Sequence, residues 1–227
     1  MSDTSAGESS GPAGPALVWY VGYGSNMSWE RLSCYLRGGC PPGGSRHHPG
    51  ARDPRPPRRS VAVELPGTVY FAGHSEQWGG GIAFYDHSTP GPSVGRAYLV
   101  SVPQLADIAA QEMHRVPEPG DPVEEVVLGG LLGGGLEGGR HHAGPGHYET
   151  LVEVGRLDGA PMLTFTAPYG VGHVPRTSPS AAYRAVLATG LRESHGWEER
   201  RVDRYLDGLL RVPADSLPFR HGVLRQG

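Results

Sequence analysis

The chain has 227 residues, with 20 Lys and Arg against 23 Asp and Glu, for a formal net charge of −3 at pH 7. This length suits one domain with a substantial core, and the balanced charge argues against nucleic acid or an anionic membrane surface as a partner. No apolar run approaches the roughly 20 residues that cross a bilayer. The two cysteines do not make a disulfide framework, which favours a reduced, cytoplasmic setting.

We expect a single domain over residues 17–212, flanked by two tails. Residues 1–16 are rich in Ser, Gly, Ala and Pro, and they lack both a basic start and an apolar centre. This composition indicates a flexible tail and not a signal peptide. Residues 213–227 follow the last predicted helix and indicate a second loose tail.

The first predicted element is a short apolar strand that ends in a Gly-rich turn. Residues 17–21 favour a buried strand, and residues 28–36 favour an amphipathic helix that Ser25 or Asn26 can cap. A strand that stops at such a turn before a helix leaves backbone N–H groups free, which is typical of anion sites. The dinucleotide and phosphate-loop motifs are absent, so the predicted anion is smaller than a nucleotide, for instance a carboxylate. The alternative is a capped turn without a ligand.

A loop is predicted over residues 37–59. It contains Gly and Pro pairs and a basic run, with no packing periodicity. One interpretation is a solvated surface loop; the other is a lid or rim that helps to hold an anionic substrate. His47 and His48 do not indicate a metal site, because no second pair of ligands stands at a matching spacing. The basic run consists of Arg52, Arg55, Arg58 and Arg59.

Four β-favouring segments follow this loop, at residues 60–64, 68–72, 79–85 and 94–102. The first two are joined by a Leu-Pro-Gly turn, and the fourth alternates in polarity. Because the segments follow one another at short intervals, we predict antiparallel or mixed pairing in a sheet that curls into a barrel.

The helix predicted after the fourth strand carries a carboxylate on its apolar stripe. Leu105, Ile108, Ala109 and Glu112 follow the i, i+3, i+4, i+7 spacing of one helix face. Glu is seldom buried without a partner, so a Glu in this position predicts an acid/base catalyst. The alternative is a solvated Glu at a fraying helix end, paired with Arg115.

The centre of the chain, from Gly120 to His147, is rich in Gly and His and predicts a long flexible loop. A metal tract there is disfavoured, since its His residues lack a second cluster. Strands are predicted over residues 148–154 and 162–167. Two helices follow, one ending at Gly196 and the other over residues 197–210.

Three motifs occur in order along the chain: Tyr23-Gly24-Ser25-Asn26-Met27, Trp78-Gly79-Gly80-Gly81-Ile82-Ala83 and the helix end Gln111-Glu112. Together they resemble the gamma-glutamylcyclotransferase-like family, and the helix from Pro179 to Gly196 is similar to a late helix of that family. The resemblance implies an α+β fold, a small mixed or antiparallel β-barrel flanked by helices. It also implies conversion of a gamma-glutamyl amide or gamma-glutamyl amino acid to 5-oxoproline plus free amine.

The resemblance implies roles for particular residues as well. Glu112 is the expected general acid/base. No metal or other cofactor is implied, because the substrate's own amine attacks its γ-carbonyl. The implied partner is a small gamma-glutamyl substrate, with no nucleic acid and no membrane. The expected substrate-binding residues are Tyr23, Gly24, Ser25, Asn26, Tyr148 and Tyr183.

One departure from the family pattern leaves the substrate open. Phe165 stands about where family members often carry a Tyr, so one hydroxyl is missing. The sequence leaves open the leaving group, the oligomeric state and two other function classes. One is an amidohydrolase or acyltransferase that uses the same pocket; the other is a non-catalytic module that binds a small carboxylate. A serine nucleophile is disfavoured, because no Gly-x-Ser-x-Gly motif occurs.

Overall fold

The computed structural model of the chain describes residues 15–41, 43–44, 46–136 and 139–211. Apart from residues 15 and 16, the two predicted tails lie outside the described residues. The described part forms eight strands and five helices: β1 (Leu17–Gly22), α1 (Trp29–Arg37), β2 (Arg59–Leu65), β3 (Thr68–Ala72), β4 (Ile82–Asp86), β5 (Ser93–Ser101), α2 (Val102–Glu112), α3 (Pro122–Gly133), β6 (Arg140–His142), β7 (Thr150–Leu157), β8 (Ala160–Thr166), α4 (Ala181–His195) and α5 (Glu199–Leu210).

Six strands form one mixed sheet in the order β2-β5-β1-β8-β7-β6. In this sheet β1 runs parallel to β8, with Trp19 opposite Met162, and antiparallel to β5, with Trp19 opposite Leu99. The other neighbouring pairs are antiparallel. Together with the flanking helices, this arrangement confirms the predicted α+β class and the mixed pairing.

The strands β3 and β4 form a separate hairpin that side-chain hydroxyls join to the large sheet. Ser93 Oγ in β5 accepts a hydrogen bond from the Val69 N–H of β3 at 2.7 Å. On the other side, Thr166 Oγ1 at the end of β8 accepts from the Tyr85 N–H and donates to the Tyr85 carbonyl, both at 2.9 Å. Residues of β1, β5, β3, β4 and β8 share one core. The described strands form two separate ladders, so the predicted closing of the sheet into a barrel is not observed.

Strand β1 is buried on both faces, which explains its unbroken apolar run. Trp19 and Val21 belong to a core that includes residues of α4 and α5. Val18 and Tyr20 belong to a second core that includes residues of α1 and α2. The turn that follows β1 is therefore anchored by packing on both sides of the sheet.

The start of α1 differs from the prediction. Residues 25–27 form a short 3₁₀ turn, and the N-cap of α1 is Ser28, whose side chain makes no capping hydrogen bond. The predicted capping of this helix by Ser25 or Asn26 is wrong. The reason is that the Asn26 amide is hydrogen-bonded to two other side chains, Tyr20 and Glu112.

The prediction of a long flexible loop from Gly120 to His147 is also wrong, because α3 and β6 lie within it. The Asp121 side chain caps α3 by accepting a hydrogen bond from the Val123 N–H, and Pro122 occupies the first turn, where its missing N–H costs nothing. Val123 and Val127 are buried in the core that α2 also joins. Packing therefore orders a segment whose glycine content alone favours a loop.

Candidate active site

A cavity of about 640 Å³ opens beside the turn that ends β1. Its wall combines this turn with the start of β4, the end of α2, β8 and the start of α4. The fold thus brings together side chains from segments that are far apart in the chain. All residues for which the resemblance implies a role lie on this wall: Tyr23, Gly24, Ser25, Asn26, Glu112, Tyr148 and Tyr183.

The turn after β1 leaves no room for side chains at its two glycines. A Cβ at Gly22 would lie 3.1 Å from the backbone carbon of Asn26, and one at Gly24 would lie 3.2 Å from Tyr183 Oη. The Met27 N–H closes the turn on the Gly24 carbonyl at 3.1 Å. The glycines therefore allow the backbone to approach the wall of the cavity closely.

The Tyr183 hydroxyl sits against this turn. Burial and the nearby charge of Glu112 raise the pKa of Tyr183 to about 12, while hydrogen bonds from the backbone N–H groups of Ala83 and Ser25 act in the opposite direction. The Tyr183 hydroxyl lies at the cavity wall, and its hydrogen can be directed into the cavity.

Glu112 is the last residue of α2, half-buried at the cavity wall. Its Oε1 accepts a hydrogen bond from Asn26 Nδ2 at 2.9 Å, and the same amide nitrogen donates to Tyr20 Oη at 2.8 Å. Asn26 Oδ1 is buried and has no hydrogen-bond partner in the described part of the chain. Asn26 therefore fixes one carboxylate oxygen of Glu112 and leaves an acceptor of its own unused.

The alternative in which Glu112 pairs with Arg115 is not observed. Arg115 forms ion pairs with Asp121 and with Glu149, the latter at 3.0 Å. The hydroxyl next to Glu112 belongs to Tyr35, whose pKa is raised by burial and by the charge of Glu112 and a hydrogen bond with it. The carboxylate of Glu112 is thus surrounded by amide and phenol groups, which leave it available to a ligand.

Aromatic rings form much of the remaining wall. Two of the tyrosines are tied to backbone carbonyls: Tyr23 Oη donates to Phe165 O at 3.0 Å, and Tyr148 Oη donates to Ala83 O at 2.9 Å. The Phe165 ring stacks on Tyr20 with centroids 5.2 Å apart. Phe165 therefore fills its position by ring packing and supplies no hydroxyl to the cavity.

Sequence reasoning missed a buried arginine at this site. Arg31 on α1 is 5% exposed and lines the cavity. Its Nη1 lies 2.7 Å from His48 Nε2, and its Nη2 donates to Tyr35 Oη at 2.5 Å. Burial, with the charge of Arg31 as the next cause, lowers the pKa of His48 to about 3, so the imidazole is neutral and accepts from Arg31. The available signal was the spacing of Arg31 and Tyr35, four residues apart on the buried face of α1.

The four arginines of the basic run do not form a rim of the site, so this interpretation is wrong for them. Arg52 pairs with Asp107 and Glu124, Arg55 with Asp53, and Arg59 with Asp158. Neither these arginines nor Arg58 lines the cavity. The residue of this loop that does line it is Arg46, which the sequence did not single out.

The described residues contain no group of three or more His, Cys, Asp or Glu side chains placed to hold a metal ion. Likewise, no helix among them has the length and apolar character needed to cross a membrane.

Comparison with known sequences gives one partial match. No protein-family model matches the chain. Histone deacetylase 5 of Arabidopsis thaliana is 27% identical over 209 residues, which cover 86% of this chain and 31% of that protein. The chain therefore spans about a third of the length of the curated relative that it matches.

Solved structures are similar to the chain over most of its length, at low identity. An uncharacterised protein from Homo sapiens is 16% identical with a TM-score of 0.46, and the alignment covers 89% of this chain and 91% of that one. A protein described as gamma-glutamyl cyclotransferase is 16% identical with a TM-score of 0.45 and the same coverage, 89% and 91%. YkqA from Bacillus subtilis is 14% identical with a TM-score of 0.42, over 87% of this chain and 55% of that one.

Proposed function

We propose that the chain is a gamma-glutamylcyclotransferase-like enzyme that converts a gamma-glutamyl amide or gamma-glutamyl amino acid to 5-oxoproline and a free amine. The observation that carries the proposal is the pairing of Glu112 with the Gly24-Ser25-Asn26 turn across one cavity through the hydrogen bond from Asn26. A cytoplasmic setting is consistent with the two free cysteines, Cys34 and Cys40.

The reaction asks the protein for position and proton transfer. The α-amine of the substrate attacks its own γ-carbonyl carbon, a new C–N bond closes the five-membered ring, and the original amide C–N bond breaks. A cavity that holds the substrate bent, with amine and carbonyl in contact, supplies much of the rate. No nucleophile from the protein and no cofactor enters this scheme.

Glu112 is the proposed acid/base. It takes a proton from the attacking nitrogen and returns one to the leaving nitrogen, so that a single carboxylate serves both steps. Its surroundings support this role, since one oxygen is held by Asn26 while the carboxylate stays half-buried at the cavity wall. The unused acceptor Asn26 Oδ1 is suited to an N–H of the substrate amine.

Tyr183 is the proposed donor to the oxygen that becomes negative as the ring closes. Its hydroxyl lies against the turn after β1 at the cavity wall, within reach of a ligand held there. A fixed donor of this kind stabilises an oxyanion more than the neutral carbonyl. Tyr23 and Tyr148, whose hydroxyls are held by carbonyl groups, are proposed to bind substrate through their rings and remaining lone pairs.

The test is release of 5-oxoproline, measured by mass spectrometry, from a panel of gamma-glutamyl amides and dipeptides. We expect Glu112→Gln to lower the rate by about 10² or more, because the amide cannot transfer the proton. The matched control is Glu118→Gln, an exposed position a few residues beyond α2, which keeps the wild-type rate.

Several outcomes contradict the proposal. An unchanged rate in Glu112→Gln removes Glu112 from its role. Free glutamate in place of 5-oxoproline points to the amidohydrolase alternative. Saturable binding of panel members without any product points to the non-catalytic carboxylate-binding module.

A further inference from the structure

A second cavity, of about 250 Å³, lies between helix α3 and the large sheet. Leu163 of β8 lines it on the side of the sheet and Val127 of α3 on the side of the helix, and each of the two residues is 2% exposed. Its other apolar lining residues are Leu131, Leu136 and Pro161. No lining residue is shared with the proposed active site, so the second cavity is a separate space within the described part of the molecule.

Glycines at the end of α3 leave this space unfilled. Gly130, Gly134 and Gly135 line the second cavity and bring no side chain to it. Gly134 ends the helix in the left-handed conformation, at φ 92°, which glycine adopts without strain, and a Cβ there would meet no other atom within 4 Å. An apolar cavity of roughly 150 Å³ can bind benzene, so a space of about 250 Å³ lined by leucines has room for two fused rings.

One carboxylate at the second cavity has acceptor capacity to spare. Glu153 of β7 lines the cavity, and its side chain is 16% exposed. Its Oε2 accepts from the Leu136 N–H and its Oε1 from Arg156 Nη1, both at 3.4 Å, whereas N–H donors in proteins normally lie about 2.7–3.2 Å from their acceptors. Arg156 makes its short bond elsewhere, to the Gly159 carbonyl at 2.6 Å. Glu153 can therefore accept a short hydrogen bond from a ligand.

We propose that the second cavity binds a flat, neutral aromatic molecule of two fused rings, whose single N–H group donates to Glu153. The apolar walls bury the rings, and this burial supplies most of the affinity. Arg156 beside Glu153 offsets the charge of the carboxylate, and an ammonium group would lose its hydration on entering an apolar space. A neutral N–H donor therefore suits this site better than a cation does. The inference does not depend on the proposed reaction, because the residues of the second cavity take no part in it.

The experiment titrates the wild-type protein with indole and with benzothiophene, two probes of nearly equal shape of which only indole carries an N–H group. Amide chemical shifts measured by NMR locate the binding, and we expect changes at Leu131, Leu136 and Leu163. Indole is expected to bind about tenfold more tightly than benzothiophene, the effect of one hydrogen bond to a charged group. Burial of apolar surface alone would favour benzothiophene, which is the less polar of the two probes.

Two variants test the position of the ligand and its hydrogen bond. Leu131→Trp fills the second cavity, and we expect it to weaken indole binding by about tenfold or more. The matched control is Leu128→Trp, on the same helix but 39% exposed and outside the cavity lining, which keeps the wild-type affinity. Glu153→Met keeps the length of the side chain and removes the acceptor, so the preference for indole over benzothiophene is expected to disappear.

The inference is overturned if indole does not bind, if its shifts are confined to the active-site turn at Gly24 and Asn26, or if benzothiophene binds as tightly. It is also overturned if a folded Leu131→Trp protein keeps the wild-type affinity, or if Glu153→Met keeps the preference for indole. Should Leu131→Trp fail to fold, Leu136→Trp fills the same cavity from the segment after α3 and takes its place. Since 5-oxoproline is not measured in these titrations, their failure leaves the proposed function standing.

Discussion

Helix α2 carries two carboxylates, Asp107 and Glu112, and the two groups have opposite surroundings. Asp107, in the middle of the helix, has a side chain only 1% exposed and is fully engaged by one partner. Its two oxygens accept from the backbone N–H and from Nε of Arg52, both at 2.8 Å. Glu112, at the end of the same helix, receives one amide hydrogen bond and forms no ion pair with a residue in the described ranges.

This difference separates a structural carboxylate from one that is free to react. Arg52 donates one hydrogen bond to each oxygen of Asp107 and holds the carboxylate in an ion pair outside the cavity lining. Glu112 is oriented by Asn26 but keeps most of its hydrogen-bonding capacity facing the cavity. The two carboxylates therefore differ mainly in their partners: Asp107 is paired with an arginine, whereas Glu112 is bonded to an amide.

A substitution at Asn26 is the most direct way to release Glu112 from its orientation. Asn26→Ala removes the donor to Oε1, and we expect kcat for 5-oxoproline release to fall by about 10- to 100-fold, in line with loss of a hydrogen bond to a charged group. Tyr20→Phe is the control, since it removes the other acceptor of the same amide and leaves the bond to Glu112. Equal losses in the two variants would show that packing of this region, and not the bond to Glu112, sets the rate.

For Asp107 we expect the opposite result, a loss of stability without a loss of activity. Asp107→Asn places an amide against the donors of Arg52, and we expect the free energy of unfolding to fall by about 1–2 kcal/mol. The loss is smaller than for a fully buried pair because Arg52 is partly exposed and keeps Glu124, and because burial itself raises the pKa of Asp107. Urea unfolding measures this loss, and the folded variant keeps the wild-type kcat. A large drop in kcat without a loss of stability would contradict the assignment.

A smaller effect is expected at His48, the neutral imidazole that accepts a hydrogen bond from the Arg31 guanidinium. Burial and Arg31 lower the pKa of His48 to about 3 in the folded protein, below the value near 6.5 of an unfolded chain. Below pH 6.5 the unfolded chain therefore binds a proton that the native state excludes, so this contribution to stability is lost as the pH falls from 6.5 toward 3.

The comparison is made with His48→Gln, whose side-chain oxygen can still accept from Arg31. Between pH 7 and pH 5.5 we expect wild type to lose about 1 kcal/mol more stability than the variant, measured by urea unfolding at both pH values. Parallel losses in the two proteins would mean that His48 is not held neutral.

Periodicity predicted that Glu112 shares a face with the apolar stripe of its helix, and the structure has it there. Leu105, Ile108 and Ala109 are fully buried, and Glu112 continues their face to the cavity wall. The motif around Tyr23 and Asn26 likewise marked the turn. The hydrogen bond that links the two segments joins residues 86 positions apart in the chain. A contact over that separation cannot be predicted from a local sequence pattern.

The parts of the site that sequence reasoning missed are those where tertiary contacts override the usual behaviour of a residue. Arginine is normally solvated, so the sequence did not predict that Arg31 is buried. Tyr35 and His48 hold it on the buried face of α1. The basic run suggested a site for an anion because its charges are close in sequence. Its arginines instead pair with carboxylates from distant parts of the chain, such as Asp107 and Asp158. Helix α3 was missed because its glycines outweighed the Asp121-Pro122 start signal.

The hydroxyl contacts of the β3–β4 hairpin have a consequence for local motion. Outside its own ladder, Ser93 and Thr166 tie the hairpin backbone to the large sheet, while Thr177 and Tyr148 bind it from other segments through the Phe71 and Ala83 carbonyls. Segments with fewer shared backbone bonds open at a lower free energy than the whole domain. Because Ile82 and Ala83 of this hairpin form part of the cavity wall, amide hydrogen exchange in the hairpin and in β1 measures whether that wall opens separately from unfolding of the domain.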